Sequence, residues 1–453
     1  MKIISFEDKY LSQFSYAIIS NGEMALIDPA RNPQPYIDLA NNENVQITAI
    51  IETHPHADFI SSHLELHQHS GAPIYVSHKL GAEYQHIGVS EDYTIALGKA
   101  SLQILDTPGH SPDSISILAV NEAGESQAIF TGDSLFVGDC GRPDLREHAG
   151  AITAAREELA KQMYHTLRTK FMPLHDSTLV YPAHGAGSLC GKELSKESVS
   201  TIGKEKRENW SLQDMSEVDF IENLLNDQPF IPKYFPYDVA VNKKGAPSFS
   251  ESTAAVPRRE PITCAGCARA LQDDVLIIDT RKESLFKQSH FRGAINLMND
   301  TRFETWLGSI VNPGETFYLL AENETELEEM ITRCASIGYE HQIKLAFVSS
   351  FGDKTAETID SHQVIDNLAL YTVVDVRNQN EVFSKPLFDT SIHIPLHQLR
   401  ERSAEIPRDK PIVVHCAGGY RSAAGSSILN RNAEPNLIVY DLGNAVKKLY
   451  QDV

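Results

Sequence analysis

The strongest constraint on this chain is a duplication. The segment "VLIIDTRKESLFKQSHFRGAINL" at 275–297 is matched by "YTVVDVRNQNEVFSKPLFDTSIHIPL" at 371–396, which sets Asp279 opposite Asp375 and Arg281 opposite Arg377, 96 residues on. A second apolar run follows in each copy, "TFYLLAENE" at 316–324 and "PIVVHCAGGY" at 411–420, and each leads into a helical pattern. Strands alternating with helices in about 95 residues predict an α/β module built twice. Two copies are too few for a solenoid. With 453 residues in all, the chain is too long for one core, so its first half must house a separate domain.

That first half is written in short β-rich runs: "SYAIIS", "MALIDPA", "ITAIIETH", "PIYVSH", "SLQILDTPG", "SISILAV", "AIFTGDSLF" and "TLVYPAHG" recur through 15–185, with turn residues between them. Residues 152–170 have helical spacing with a polar face. The mixture predicts strands with covering helices. From about residue 226 the sequence turns rich in Pro, Ser and Ala, and no long regular element is expected there. The expected division is a first domain over 1–245 with a trailing linker to about 261, then modules over 262–357 and 358–453.

Charge narrows the partners. Lys plus Arg number 40 against 61 Asp plus Glu, a net charge of −21, which opposes non-specific binding to nucleic acid or anionic lipid. The start "MKIISFEDKYLSQF" has no apolar signal core, and no run of eighteen apolar residues occurs, so the expected setting is the cytoplasm, away from membranes. Six scattered cysteines make no disulfide framework there and stand as thiols, ligands or nucleophiles. Self-association is left open.

Candidate ligands cluster at strand ends. His54, His56 and Asp58 follow "ITAIIET", His110 sits in "DTPGHSPD", Asp133 in "FTGDSLF" and His184 in "YPAHG". Loops at strand ends gather on one edge of a sheet, so these side chains are expected to converge on a metal site. His63, His67, His69, His78 and His86 carry no such pattern and are read as ordinary histidines.

"THPHADF", "TPGHSPDS", "TGDSLFVGDCGRPDL" and "YPAHGAGSLCGK" together resemble the metallo-β-lactamase superfold, and within it the persulfide dioxygenase (sulfur dioxygenase) branch fused to rhodanese modules. The resemblance implies an αββα sandwich followed by two rhodanese-like α/β domains. It also gives Phe59 a meaning: hydrolases of the superfold, such as glyoxalase II, place a histidine after the Asp to hold a second metal, and Phe cannot ligate. A mononuclear centre is therefore implied, one Fe(II) per chain held by His54, His110 and Asp133. Two imidazoles and one carboxylate leave open positions for a persulfide sulfur and O2, with His56, Asp58 and His184 orienting ligands or binding water. An Arg in the "GDCGRPD" loop, here Arg142, lies near the thiol-carrier pocket of such dioxygenases, and Cys190 could carry sulfur at the mouth of the site.

The last module has its own chemistry. In "VVHCAGGYRSAAGSS", Cys416 directly follows an apolar strand, with Gly418, Gly419 and Arg421 before a small-residue helix. Successive N–H groups at a helix start, with Arg421, favour an anion and a thiolate at Cys416. Four residues separate Cys416 from Arg421, and this C-x4-R loop resembles that of rhodaneses, where phosphatases of related architecture use C-x5-R. The earlier copy sets Ala321 opposite Cys416 and brings the glutamates of "AENETE" where an anion cradle should be, so it is expected to be a pseudo-rhodanese. The pair Cys264 and Cys267 has no second ligand pair nearby and is read as two reduced thiols.

Together these features predict a bifunctional sulfur enzyme. A low-molecular-weight persulfide, of glutathione, coenzyme A or a similar thiol, would be oxidised by O2 to sulfite, and Cys416 would exchange sulfane sulfur with sulfite or thiosulfate. The rival enzyme is a zinc-dependent glyoxalase II-like thioester hydrolase fused to a sulfur-carrier rhodanese. A third reading, a sensor built on a spent metallo-domain, predicts no turnover.

Overall fold

The computed structural model describes residues 1–146, 155–192, 194–264, 271–431 and 437–449. The chain divides into two compact units, Met1–Ser252 with Ala335–Gly338, and Thr253–Cys334 with Tyr339–Val453.

The first unit contains two six-stranded sheets. One is ordered β1 (Lys2–Asp8), β2 (Gln13–Ser20), β3 (Glu23–Ile27), β4 (Gln46–Ile51), β5 (Ile74–Ser77) and β6 (Ile87–Val89). The other runs from β7 (Thr94–Leu97) through β8 (Ala100–Asp106), β9 (Ile115–Val120), β10 (Ser126–Gly132) and β11 (Leu179–Pro182) to β12 (Ser200–Thr201). Their inner faces share one core, in which Tyr16, Ile18, Ile27 and Ile51 meet Leu102, Ile104, Ile117 and Phe130. Alternate residues point the other way: Met24 and Leu26 pack with Tyr36, Ala40 and Leu66 of the helices Gln34–Glu43 and His63–Ser70. On the far side, Leu118, Ile129 and Val180 pack with Ala160, Met163 and Phe220 of the helices Arg156–Thr166 and Glu217–Leu225. The inner strands β2, β3, β9 and β10 are covered on both faces and read as nearly continuous apolar runs, whereas the outer strands β1 and β7 alternate. The result is the expected αββα sandwich.

The stretch after residue 226 departs from expectation. It holds a ten-residue helix, Phe235–Lys244, and a shorter one at Phe249–Ala254. Proline is tolerated because Pro236 lies in the first turn, where its missing N–H would have had no partner in the helix.

The second unit repeats one sheet twice. The first is ordered β14 (Ala294–Asn296), β13 (Leu276–Asp279), β15 (Phe317–Ala321), β16 (Ile343–Val348), and the second β18 (Ile392–His393), β17 (Thr372–Asp375), β19 (Ile412–His415), β20 (Val439–Asp441), all parallel. The duplicated Asp-x-Arg pair explains itself here. Arg281 donates Nε to Asp279 Oδ1 at 2.9 Å and Nη2 to Oδ2 at 2.6 Å, and reaches the carbonyls of Ser289 and Ser349. Arg377 repeats the fork on Asp375 and reaches the Lys385 carbonyl. Each is a buried, bidentate pair that closes the C-terminal end of the central strand. No helix among the described residues is long and apolar enough to cross a membrane.

Candidate metal centre and cysteine loop

Four strand ends build the first site. His54, His56 and Asp58 follow β4, His110 follows β8, Asp133 follows β10 and His184 follows β11, and all six are buried. The Asp133 turn comes close to the β4 loop: at Gly132, with φ of +53°, a Cβ would lie 2.6 Å from Thr53 Oγ1. Only glycine satisfies both the left-handed backbone and that approach.

The polar atoms are ordered from outside inward. Thr53 donates its hydroxyl to Asp28 Oδ2 at 2.8 Å, so toward His54 Nδ1, 3.0 Å away, it acts as an acceptor. His54 therefore carries its proton on Nδ1 and presents a lone pair at Nε2. That atom lies 3.8 Å, and His110 Nε2 3.5 Å, from Asp133 Oδ2. No donor among the described residues hydrogen-bonds this buried oxygen. Burial, and then His56, hold the His54 pKa well below that of free imidazole; burial lowers that of His110 as well. Neutral rings and an unsatisfied carboxylate oxygen, too far apart for hydrogen bonds, are the donor set a divalent ion requires. His54, His110 and Asp133 could thus hold one, and the fit rests on these residues alone.

A second ring of side chains braces the first. His184 Nδ1 lies 2.8 Å from Asp133 Oδ1, and its Nε2 2.9 Å from Asp58 Oδ2. Burial opposes a charge on His184, but the two carboxylates prevail and hold its pKa well above the ordinary value. Asp58 therefore faces His184 rather than His54 or His110. His56 Nε2 lies 3.2 Å from Asp28 Oδ1, and its ring centroid is 4.1 Å from that of His54 and 4.3 Å from that of Phe59. Phe59 is buried and fills with an apolar ring the position after Asp58.

Cys190 is buried with ligating atoms of Asp58 and His184 within 4.8 Å, and burial, then Asp58, push its thiol pKa well up. Arg142 is buried too, but its fork is taken: Nε and Nη2 donate to Asp144 at 2.7 Å each, and Nη1 to the Leu189 carbonyl at 3.2 Å. The guanidinium ties the 138–144 loop to the segment before Cys190.

Two further residues shape the site. Asp28 directly follows β3 and accepts the Thr53 N–H at 2.7 Å; the same strand-end rule that flagged the histidines would have found it. Asn242, on the helix Phe235–Lys244, donates to the carbonyls of His56 and Phe59 at 2.8 Å and accepts the Ser61 N–H at 2.9 Å. Nothing in the sequence marks it.

In the second unit, β-pairing sets Asp375 against His415 and Asp279 against Leu320, so Cys416 and Ala321 occupy equivalent positions. Cys416 is buried, and the Gly419 N–H lies 3.1 Å from its Sγ. Gly419, with φ of +100°, turns the chain into the helix Tyr420–Arg431. Arg421 does not hang free over the loop: Glu381, on the helix Gln379–Ser384, holds both its terminal nitrogens, one at 2.7 Å. In the earlier copy the helix begins at Glu324, leaving only Glu322 and Asn323 after Ala321 where the later copy has three residues after Cys416. Cys264 is exposed, and Cys267 lies outside the described residues.

A two-sheet sandwich with helices outside, and ligating side chains at its strand ends, defines the metallo-β-lactamase superfamily. The chain belongs to it: the superfamily model matches residues 9–184, and a rhodanese-like domain model matches 355–445, the later of the two copies. A metallo-beta-lactamase from Staphylococcus aureus subsp. aureus COL, known from a crystal structure, is 32% identical, with a TM-score of 0.68 over 77% of this chain and 99% of that one. Persulfide dioxygenase ETHE1 of Mus musculus is 29% identical over 48% of this chain and 77% of its own length. Hydroxyacylglutathione hydrolase GloC of Haemophilus influenzae is 27% identical over 42% of this chain and 88% of its own.

Proposed function

We propose that the chain is a persulfide dioxygenase joined to a sulfurtransferase, with domains over 1–245, 262–357 and 358–453. The observation that carries this reading is the buried Asp133 Oδ2, turned to His54 and His110, with Phe59 in place of a further ligand. Bound there, Fe(II) supplies open positions at which O2 and a sulfur can meet. One iron per chain is the expected stoichiometry.

The protein's own groups do the rest. Thr53 and Asp28 fix the His54 tautomer, His184 holds the Asp133 carboxylate by its other oxygen, and Phe59 keeps the space beside His56 apolar. The net reaction joins a persulfide, O2 and water to give the parent thiol, sulfite and two protons. In the last domain the Cys416 thiolate attacks the outer sulfur of a donor such as thiosulfate, releasing sulfite and leaving a cysteine persulfide; an acceptor then removes that sulfur and restores the thiolate. Sulfite made by the first reaction is an acceptor for the second. Cys190 is a thiol beside the first site, and Arg142, through Asp144, orders its neighbouring loop.

Likeness to a hydroxyacylglutathione hydrolase favours a second reading, thioester hydrolysis with two zinc ions, in which Asp58 and His184 would hold the second ion. One pair of variants tests the favoured reading. Asp133→Ala should abolish oxygen uptake while leaving thiosulfate:cyanide sulfurtransfer intact, and Cys416→Ser should do the reverse. Loss of both activities in either variant would contradict two separate sites.

A further inference from the structure

The Cys416 loop carries one cation of its own, and the fold has already matched it. Arg421 is the only basic side chain in residues 416–421. β17 and β19 are parallel neighbours, with Asp375 paired to His415, so the segments that leave their C-terminal ends start side by side. Glu381 reaches from the first of these to the second: its Oε1 accepts from Arg421 Nη2 at 2.7 Å, and its Oε2 accepts from Nη1. The fork is bidentate, and only 15% of the Arg421 side chain is exposed. Glu381 is itself held, because Oε2 also accepts the Asn378 N–H at 3.0 Å in the capping box of the helix Gln379–Ser384.

A guanidinium committed in this way adds little positive potential for a ligand. The thiol is within its reach: burial alone would lower the Arg421 pKa, and Glu381 and then Cys416 raise it. What meets an incoming anion is therefore backbone, such as the Gly419 N–H 3.1 Å from Sγ, with the Lys447 ammonium 4.0 Å from where a Gly418 Cβ would stand. This matters for the charge of the sulfur donor. Thiosulfate is a dianion, whereas a persulfide or a thiosulfonate bears at most one negative charge at its reacting end. In each case the Cys416 thiolate bonds to the outer sulfur, the donor's S–S bond breaks, and the electron pair departs on sulfite, a thiolate or a sulfinate. The attacking thiolate repels a dianion twice as strongly as a monoanion, and the cation in the loop that would offset this is itself offset.

We propose that Glu381 is a specificity-determining residue of the Cys416 loop: by holding Arg421 it turns the loop away from thiosulfate and toward donors with a single negative charge at the reacting sulfur. The inference rests on the reading of Cys416 as the sulfur-carrying thiol. Because transfer to sulfite passes through the same transition state as transfer from thiosulfate, Glu381 restrains sulfite as an acceptor as well.

The test uses the full chain with cyanide as acceptor and two donors, the dianion thiosulfate and the monoanion benzenethiosulfonate. Both are assayed on one preparation, so the ratio of their kcat/KM values does not depend on the folded fraction. Glu381→Gln keeps the size and an acceptor oxygen for Asn378 while removing the charge. Its ratio of thiosulfate to benzenethiosulfonate should rise roughly fivefold over wild type, and the rise should shrink as salt is added. Glu381→Asp, which keeps the charge, should stay close to the wild-type ratio. In an Arg421→Gln background, Glu381→Gln should leave the ratio where Arg421→Gln alone puts it, which a purely structural role for Glu381 would not produce. A ratio unchanged or lowered in Glu381→Gln, a rise insensitive to salt or persisting without Arg421, or loss of transfer from both donors would overturn the proposal. If neither donor left a persulfide on Cys416 of the wild-type chain by mass spectrometry, the reading beneath the proposal would fall instead.

Discussion

His184 Nδ1 lies 2.8 Å from Asp133 Oδ1, which leaves Oδ2 as the oxygen of that carboxylate turned toward His54 and His110. The imidazole thus decides which face of the aspartate is offered to an ion. His184→Ala should leave the three candidate ligands in place but free the carboxylate to rotate. Such partners are worth about 10–100-fold in metal affinity. Competition against a calibrated chelator measures this, and unchanged affinity would exclude His184 from positioning Asp133.

Asn242 fastens the 56–61 loop from a helix nearly two hundred residues away, with three hydrogen bonds to backbone groups. Asn242→Leu keeps the volume and removes all three, leaving buried carbonyls and an N–H without partners, a loss of about 2–4 kcal/mol. Amide hydrogen exchange should accelerate over residues 56–61, and iron retained after desalting should drop. Exchange and metal content equal to wild type would show that the loop is held by other contacts.

The candidate site was legible because its residues sit directly after apolar strands, and strand ends are visible in a single sequence: His54, His110, Asp133 and His184 all follow β-runs, and Asp28 does as well. Asn242 was not legible, since its role depends on where a helix docks rather than on its neighbours in the chain. The helix Phe235–Lys244 itself was masked by flanking prolines, although Pro236 in a first turn is no obstacle. The burial of Arg142 was not legible, since it depends on Asp144, whose carboxylate binds the guanidinium. The Glu381 partner of Arg421 lies forty residues away, and only the fold brings the two together. In the repeat, the Asp-x-Arg spacing is visible in the sequence as a duplication, while its cause, a buried fork closing each central strand, emerges only in the folded chain.

Installing a thiol in the earlier copy should not revive it. Ala321→Cys would place sulfur where Cys416 stands in the later copy, but Glu322 and Asn323 reach the next helix one residue sooner, and that helix opens with Glu324 and Glu326 in its first turn. In a Cys416→Ser background, sulfurtransfer by Ala321→Cys should stay at the level of the single variant. Recovery to even a tenth of wild-type rate would refute this account of the silent copy.

His415 makes the second unit sensitive to acid. Among the described residues neither of its ring nitrogens has a hydrogen-bond partner, and burial above all pushes its pKa down to about 4. The unfolded chain, with an ordinary value near about 6.5, takes up the proton first. Its contribution is therefore complete above that pH and is lost as pH falls toward about 4, at up to about 1.4 kcal/mol per unit. Comparing wild type with His415→Phe by urea denaturation at pH 7.0 and pH 5.0 reads this directly. The variant should lose less stability over the interval; an identical loss would assign the acid sensitivity to other groups.

The most direct test of the central claim is an oxygen-electrode measurement on anaerobically purified, iron-loaded protein, with sulfite and metal determined in the same samples. Glutathione or coenzyme A persulfide should drive uptake of one O2 per sulfite formed, at one iron per chain and with no zinc required. A paired zinc centre, thioester cleavage and no oxygen uptake with any persulfide would contradict it.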